Sequence, residues 1–268
     1  MTAERAVRQY VIIGLGAAGA AAALTLRQRY HAGGITIVTS DPHLYYSRPG
    51  LAYLLAGEIP ARQLTPFPPD LFQQQRIKIL TEQVESIDLS GQILTLNGRK
   101  RLGYDRLLIA TGASAQMSEV PGVELEGVVK LDHFDDAQRI LRIARRVRTA
   151  VVVGGGITAL ELVEGLAAQG VCVHYFLRGE RYWSAVLDEV ESRIVQRRLT
   201  EEGVRIHRHT ELIEVSGRHG RVAGVRAIEM GREFWLPCQM VAAAIGIRPR
   251  IQLAAQAGLR VQRGILVD

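Results

Sequence analysis

The apolar positions of this chain come in short blocks, and two of the blocks are built alike. Tyr10-Val11-Ile12-Ile13 is an unbroken apolar run that stops at Gly14, the pattern of a strand buried on both faces. Gly14-Leu15-Gly16-Ala17-Ala18-Gly19 follows, then an Ala/Leu-rich helical stretch from Ala20 to Arg29, a break at Gly33-Gly34 and a second apolar run, Ile35–Val38. Strand, glycine turn, helix and strand within ~30 residues make a βαβ unit. The same order returns downstream. Ala150–Val153 predicts a strand, Gly154-Gly155-Gly156-Ile157-Thr158-Ala159 a turn, Leu160–Gln169 a helix ended by Gly170, and Val171–Leu177 the returning strand. This is a duplicated motif, not a short-period repeat array.

Elsewhere the pattern is more broken. Residues 42–70 hold Pro42, Pro49, Pro60, Pro66, Pro68 and Pro69 and read as irregular loop around a short helix at Leu51–Ala56. Short runs at Ile77–Leu80, Val84–Asp88, Ile93–Leu96 and Arg106–Ile109, separated by Gly91 and Asn97-Gly98, predict strands with a hairpin at the Asn-Gly. Asp135–Arg148 predicts a basic amphipathic helix. Beyond the second unit the pattern predicts a helix over Ser184–Glu202, a strand at Val204–His207 and a hairpin over Glu211–Trp235 that turns at Gly217 and Gly220. A last strand at Gln239–Ala244 and a short terminal helix complete it.

Composition narrows the picture. At ~150 residues per domain, 268 residues suit about two domains. With 47% hydrophobic and 22% charged residues the chain reads as globular rather than disordered. The 33 basic residues against 27 acidic ones give +6, and all the basic residues but Lys78, Lys100 and Lys130 are Arg. This excess suits anionic partners such as nucleotides or an acidic protein without choosing between them. Two cysteines, Cys172 and Cys238, exclude a disulfide framework and a four-Cys zinc site, and neither belongs to a CxxC or CxxxxC pair. Cys172, in an apolar strand, is expected as a buried thiol. His207 and His209 would share one face of a strand with no third ligand near, so no metal is expected. Trp183 and Trp235 read as packing residues. Arg139, Arg142, Arg145, Arg146 and Arg148 read as a solvated helix face, with docking of an acidic electron carrier as the alternative. No apolar run reaches ~18 residues, the stretch from Met1 to Tyr10 lacks the features of a signal peptide, and a cytoplasmic protein without membrane or nucleic-acid partners is expected.

The two turns carry the chemistry. In the first, Gly14 permits a tight turn, Gly16 lets backbone approach a pyrophosphate, and Gly19 lets helix pack closely on strand; Ala17 and Ala18 offer the amides of the helix start to the phosphates. In the second, Gly154 and Gly156 take the first two roles, Ile157 opens the helix, and Ala159 stands at the third glycine position, which accepts alanine. Two such fingerprints imply two dinucleotides.

Around the turns stand Tyr46-Ser47-Arg48-Pro49-Gly50-Leu51, the stretch from Tyr104 through Ala110-Thr111-Gly112, Gly154-Gly155-Gly156 with Glu161, and Ala244-Ile245-Gly246-Ile247-Arg248-Pro249. In these motifs, and in their order over nearly the whole chain, the sequence resembles the two-dinucleotide flavoproteins of the pyridine-nucleotide–disulfide oxidoreductase superfamily. The nearest branch is that of ferredoxin, rubredoxin and nitrite reductase subunits. The resemblance implies an α/β fold of two Rossmann-like three-layer nucleotide-binding domains, the first interrupted by the second. Residues 1–114 plus 245–268 would bind FAD and residues 115–244 NADH or NADPH. It implies hydride transfer from NAD(P)H to FAD, with electrons passed to an external acceptor such as a ferredoxin or rubredoxin. No cysteine pair follows the first unit, so no thiol step is expected.

By the same resemblance Arg48-Pro49 lies beside the FAD pyrophosphate, Val84 offers backbone to the adenine, and Ala110-Thr111-Gly112 crosses between domains. Glu161, the candidate catalytic residue, sits near the nicotinamide, and Gly246 lines the contact of nicotinamide with flavin. Several positions depart from the family pattern. The acid expected after the second strand aligns with Ser40, with Asp41 one residue later, and either could hold the ribose. Tyr53 replaces a lysine. Leu177 replaces the acid of the nicotinamide unit, and Arg178 follows it, which tilts toward NADPH without excluding NADH. The family adds a later flavin segment and an interface domain, whereas this sequence stops at Asp268 and resembles a shortened member. A non-catalytic nucleotide-binding remnant, or one part of a split reductase, is the rival reading.

Overall fold

The apolar run before the first glycine turn forms strand β1 (Gln9–Ile13), and the alanine-rich stretch after it forms helix α1 (Ala17–Arg29), followed by β2 (Gly34–Thr39). The computed structural model describes residues 9–268, so the expectation for the segment before Gln9 lies outside the described residues. Next come α2 (Gly50–Ala56), the short α3 (Leu71–Gln74), β3 (Ile77–Thr81), β4 (Val84–Asp88), β5 (Ile93–Leu96), β6 (Lys100–Gly103), β7 (Arg106–Ile109) and β8 (Ala113–Ala115). The middle of the chain gives β9 (Val128–Lys130), α4 (Phe134–Ala144), β10 (Thr149–Val153), α5 (Ile157–Ala168), β11 (Cys172–Phe176), α6 (Glu189–Glu201) and β12 (Arg205–His207). The chain then runs through β13 (Thr210–Arg218), β14 (Arg221–Glu229), β15 (Arg232–Pro237), β16 (Met240–Ala243), β17 (Ile247–Pro249) and α7 (Gln252–Gln256).

The described chain divides into two compact units. One comprises residues 9–47, 65–114 and 249–268, the other residues 48–64 and 115–248. In the first unit a parallel sheet runs in the order β3-β2-β1-β7. Because side chains alternate across a strand, β1 serves two cores. Tyr10 and Ile12 pack with Ala20 and Ala23 of α1, and Val11 and Ile13 pack with Leu94, Leu96 and Ile87 of the antiparallel sheet β4-β5-β6. The result is three layers: helix, parallel sheet and antiparallel meander.

The second unit repeats this plan. Its parallel sheet runs β12-β11-β10-β16-β9, and its meander is β13-β14-β15. Val151, Phe176 and Val241 of the parallel sheet meet Val215, Val225 and Leu236 of the meander in one core.

Residues 48–64 fall in the second unit, whereas sequence order assigned them to the first. The physical reason is a helix contact. A Cβ on Gly165 of α5 would stand 2.7 Å from Cβ of Leu55, so the missing side chain lets α2 pack directly on α5, and Gln169 Nε2 donates to the Leu55 carbonyl at 2.9 Å.

Other expectations are corrected. The predicted helix 184–202 begins only at Glu189, because Asp188 caps it: Asp188 accepts from Glu191 N at 2.8 Å, and Glu191 accepts from Asp188 N at 2.9 Å. The predicted hairpin is a three-stranded meander, with a second turn at Met230-Gly231 where Gly231 has φ +81°. Cys172, at the start of β11, is partly exposed, and Cys238 is the buried thiol. Trp235 is 55% exposed and covers Gly224 rather than entering a core. His207 and His209 do not share a strand face, since β12 ends at His207 and His209 occupies a turn at φ +50°.

Candidate nucleotide-binding sites

Each glycine turn sits where a strand ends and a helix begins. In the first unit Gly14 has φ +108°, and a Cβ there would lie 2.3 Å from the carbonyl oxygen of Ala110. Gly19 is packed harder still: a Cβ would lie 1.9 Å from the Gly14 carbonyl oxygen. Gly16 is different, with nothing within 4 Å of its Cβ position. It precedes α1, no side chain caps that helix, and its first turn holds no acid. The amides at Ala17 and Ala18 thus stand at an uncapped positive helix end, with space for a phosphate to come close.

The second turn has the same geometry. Gly154 has φ +149°, and a Cβ there would lie 2.2 Å from the Ala244 carbonyl oxygen. Gly155 and Gly156 have open space, and α5 starts at Ile157 with neither side-chain cap nor acid in its first turn. Trp183 N donates to Gly155 O at 2.9 Å, so the loop after β11 closes over the turn. Each turn fits a dinucleotide pyrophosphate.

Around the first turn, Ser40 is exposed just past the end of β2. Asp41 is engaged in its own loop: it accepts from His43 N at 3.0 Å and from the Tyr46 hydroxyl at 3.1 Å. Val84 begins β4 beside a register shift. Ala110 N donates to Ile13 O at 2.8 Å. Thr111 and Gly112 are gripped by the returning chain: Thr111 Oγ1 donates to Arg250 O at 2.9 Å, Arg250 Nη1 to Thr111 O at 3.1 Å, and Arg250 N to Gly112 O at 2.9 Å.

Around the second turn, Glu161 is half-buried on α5, and burial first, then the neighbouring Glu164, hold its carboxyl above the ordinary carboxylate pKa. Leu177 is buried and Arg178 is exposed, paired with Glu211 at 3.1 Å; beside them Glu180 meets His209 at 2.8 Å. Gly246, at φ +128°, accepts from Gln116 N at 2.9 Å. Arg48 and Pro49, expected at the flavin pyrophosphate, belong to this unit. Arg48 Nη1 donates to the Asp132 backbone oxygen at 2.9 Å and to its carboxylate at 3.1 Å. Tyr53 is exposed on α2. Among the described residues no group of three or more His, Cys, Asp or Glu is arranged to hold a metal ion.

Sequence reasoning missed Asp132, whose largely buried carboxylate meets Arg48, Lys130 at 3.8 Å and His133 at 3.4 Å. The signal was Lys130-Leu131-Asp132-His133 after Val128-Val129, but a three-residue strand leaves too short a pattern to read.

The family model described as pyridine nucleotide-disulphide oxidoreductase matches residues 8–268. The chain belongs to this family. A rubredoxin-NAD(+) reductase of Pseudomonas putida is 31% identical over 260 residues, which are 96% of this chain and 67% of that protein. The assimilatory nitrate reductase electron transfer subunit of Bacillus subtilis is 29% identical over 91% of this chain and 31% of its own length. A ferredoxin reductase from Rhodopseudomonas palustris superposes with a TM-score of 0.90 at 31% identity, covering 97% of this chain and 64% of that one. The chain thus spans about two thirds or less of the length of these relatives. The pyridine nucleotide-disulphide oxidoreductase family uses FAD and a pyridine nucleotide, the two cofactors the resemblance implied. No helix among the described residues is long and apolar enough to cross a membrane.

Proposed function

We propose that this chain binds FAD at the first glycine turn and NADH or NADPH at the second, and serves an oxidoreductase that passes electrons to a small carrier protein such as a ferredoxin or rubredoxin. One observation carries the reading: two strand–turn–helix sites of matching geometry, each with one glycine locked against a neighbouring backbone carbonyl and another open toward an uncapped helix end. When bound, the nucleotide supplies a hydride and the flavin accepts it.

The chain's own residues bind and align. The amides after Gly16 and Gly156 hold the pyrophosphates, and Ser40 or Asp41 the flavin ribose. Leu177 leaves no carboxylate to repel a 2′-phosphate, and Arg178 is exposed enough to meet one, although Glu211 already pairs with it. Glu161, its pKa raised by burial and by Glu164, is the polar group we assign to the nicotinamide side. The relatives named as rubredoxin and ferredoxin reductases support a protein acceptor. We place the reaction in the cytoplasm, where reduced pyridine nucleotide is available.

The test is the visible spectrum of the protein loaded with FAD, followed as NADH and then NADPH is added without oxygen. Bleaching of the flavin band by either, with ferricyanide restoring it, is the expected result. A flavin that neither nucleotide bleaches would support the non-catalytic remnant instead.

A further inference from the structure

We propose that the arginine face at the end of α4 docks a carboxylate-rich face of another protein, toward the end of β10 opposite the nucleotide turn. Arg139, Arg142, Arg145, Arg146 and Arg148 are all exposed, and no carboxylate pairs with any of them among the described residues. Residues 139–148 hold five arginines and no acid, in a chain whose net charge is only +6. Arg139, Arg142 and Arg146, spaced by three and four, lie along one face of the helix and its final turn, opposite the buried Ala137, Ile140 and Ala144.

Helix chemistry alone does not account for this. The carboxyl end of a helix carries a partial charge of roughly −0.5, which one nearby cation offsets. Several other arginines of this unit do find carboxylates: Arg198 pairs with Glu202, Arg221 with Glu126, and Arg226 with Glu214 and Glu233. A second copy of the chain carries the same net charge of +6, so the complementary partner is a different and acidic protein. Residues 139–148 contain no aromatic, Asn or Gln side chain to stack on or read a base, which disfavours a nucleic acid.

The position defines the role. Arg148 directly precedes β10, and Gly154 follows its other end, so at ~3.3 Å per residue about 20 Å separates Arg148 from the turn. A protein docked there is held for assembly and leaves the nucleotide turn open.

The test is fluorescence anisotropy of labelled poly-L-glutamate against the full chain, in 50 mM and 500 mM salt as roughly low and high screening. Binding in low salt that vanishes in high salt is expected. Arg139→Gln/Arg142→Gln/Arg146→Gln should weaken it at least about tenfold. The corresponding triple lysine variant should keep it, and the control Arg99→Gln/Arg101→Gln/Arg106→Gln, in the other unit, should change it less than about twofold. NADH–ferricyanide activity of the first variant should stay at the parent level. No binding in low salt, or equal loss in the control, would overturn the proposal. Single-stranded DNA of equal charge binding as tightly through the same arginines would overturn it in favour of a nucleic acid.

Discussion

The Cα of Gly14 is so close to the carbonyl of Ala110 that a single added carbon would stand 2.3 Å from its oxygen. The same relation holds between Gly154 and Ala244 at 2.2 Å. Neither oxygen can move freely, since each belongs to backbone at the end of a neighbouring strand. Gly14→Ala and Gly154→Ala therefore each displace a turn and add backbone strain of roughly 1–3 kcal/mol at a positive φ. A lowered unfolding midpoint is expected for both. An unchanged midpoint in either would show that the turn yields without cost.

Arg27 is the structural counterpart of these turns. It is buried on α1 and donates to five carbonyls: Gln75 at 2.7 Å, Arg76 at 2.9 Å, Gly33 at 3.0 Å, Tyr30 at 3.1 Å and His31 at 3.2 Å. The guanidinium thus ties the helix end and the loop before β2 to the chain entering β3. A carbonyl that loses its partner where water cannot replace it costs about 1–3 kcal/mol. Arg27→Ala should lose at least about 3 kcal/mol in urea unfolding, even with partial hydration of the gap. Arg27→Lys should recover only part, having a point charge in place of a five-donor fork. Wild-type stability in the alanine variant would contradict this role.

How much could be read beforehand follows from the range of the forces. β1, α1, β10 and α5 were visible because an apolar run, a glycine and a helix start are neighbours in sequence. The cap pair Asp188 and Glu191 was equally local, and the apolar run Ala185-Val186-Leu187 before it hid where α6 begins. The membership of residues 48–64 was not visible, because it rests on Leu55 meeting Gly165 more than a hundred residues away. For the same reason the pairing of Arg48 with Asp132 came only from the fold.

His174 makes stability depend on pH. Its Nδ1 lies 2.9 Å from His207 Nε2, and His207 Nδ1 lies 3.2 Å from Glu229 Oε1. Burial, then His207 and Arg205, push its pKa down to about 4. The unfolded side chain, near ~6.5, takes a proton where the folded one refuses it. The stability is therefore fully present above about pH 6.5 and is lost as pH falls toward 4, by up to about 3 kcal/mol. Urea midpoints between these values should fall less steeply for His174→Gln. A parallel slope in the variant would assign the acid sensitivity to other groups.

The cysteines differ in reach. Burial pushes the Cys238 thiol up to about 12, while Cys172 is partly exposed. A thiol reagent should modify Cys172 alone in the native protein and both after unfolding. Cys172→Ser should leave NADH-to-ferricyanide transfer within about twofold, since no cysteine pair exists to relay electrons. Loss of turnover at normal flavin content would reveal a thiol step.

The division of labour between the two turns is tested most directly by calorimetric titration of FAD and of NADH into three proteins: the parent, Gly16→Ala and Gly156→Ala. Both glycines have open space at the Cβ position, so these variants fold normally and meet only the ligand. The account predicts that Gly16→Ala weakens FAD by at least about tenfold while NADH is unchanged, and that Gly156→Ala does the reverse. Weakening of the same ligand by both substitutions, or of neither ligand by either, would contradict it.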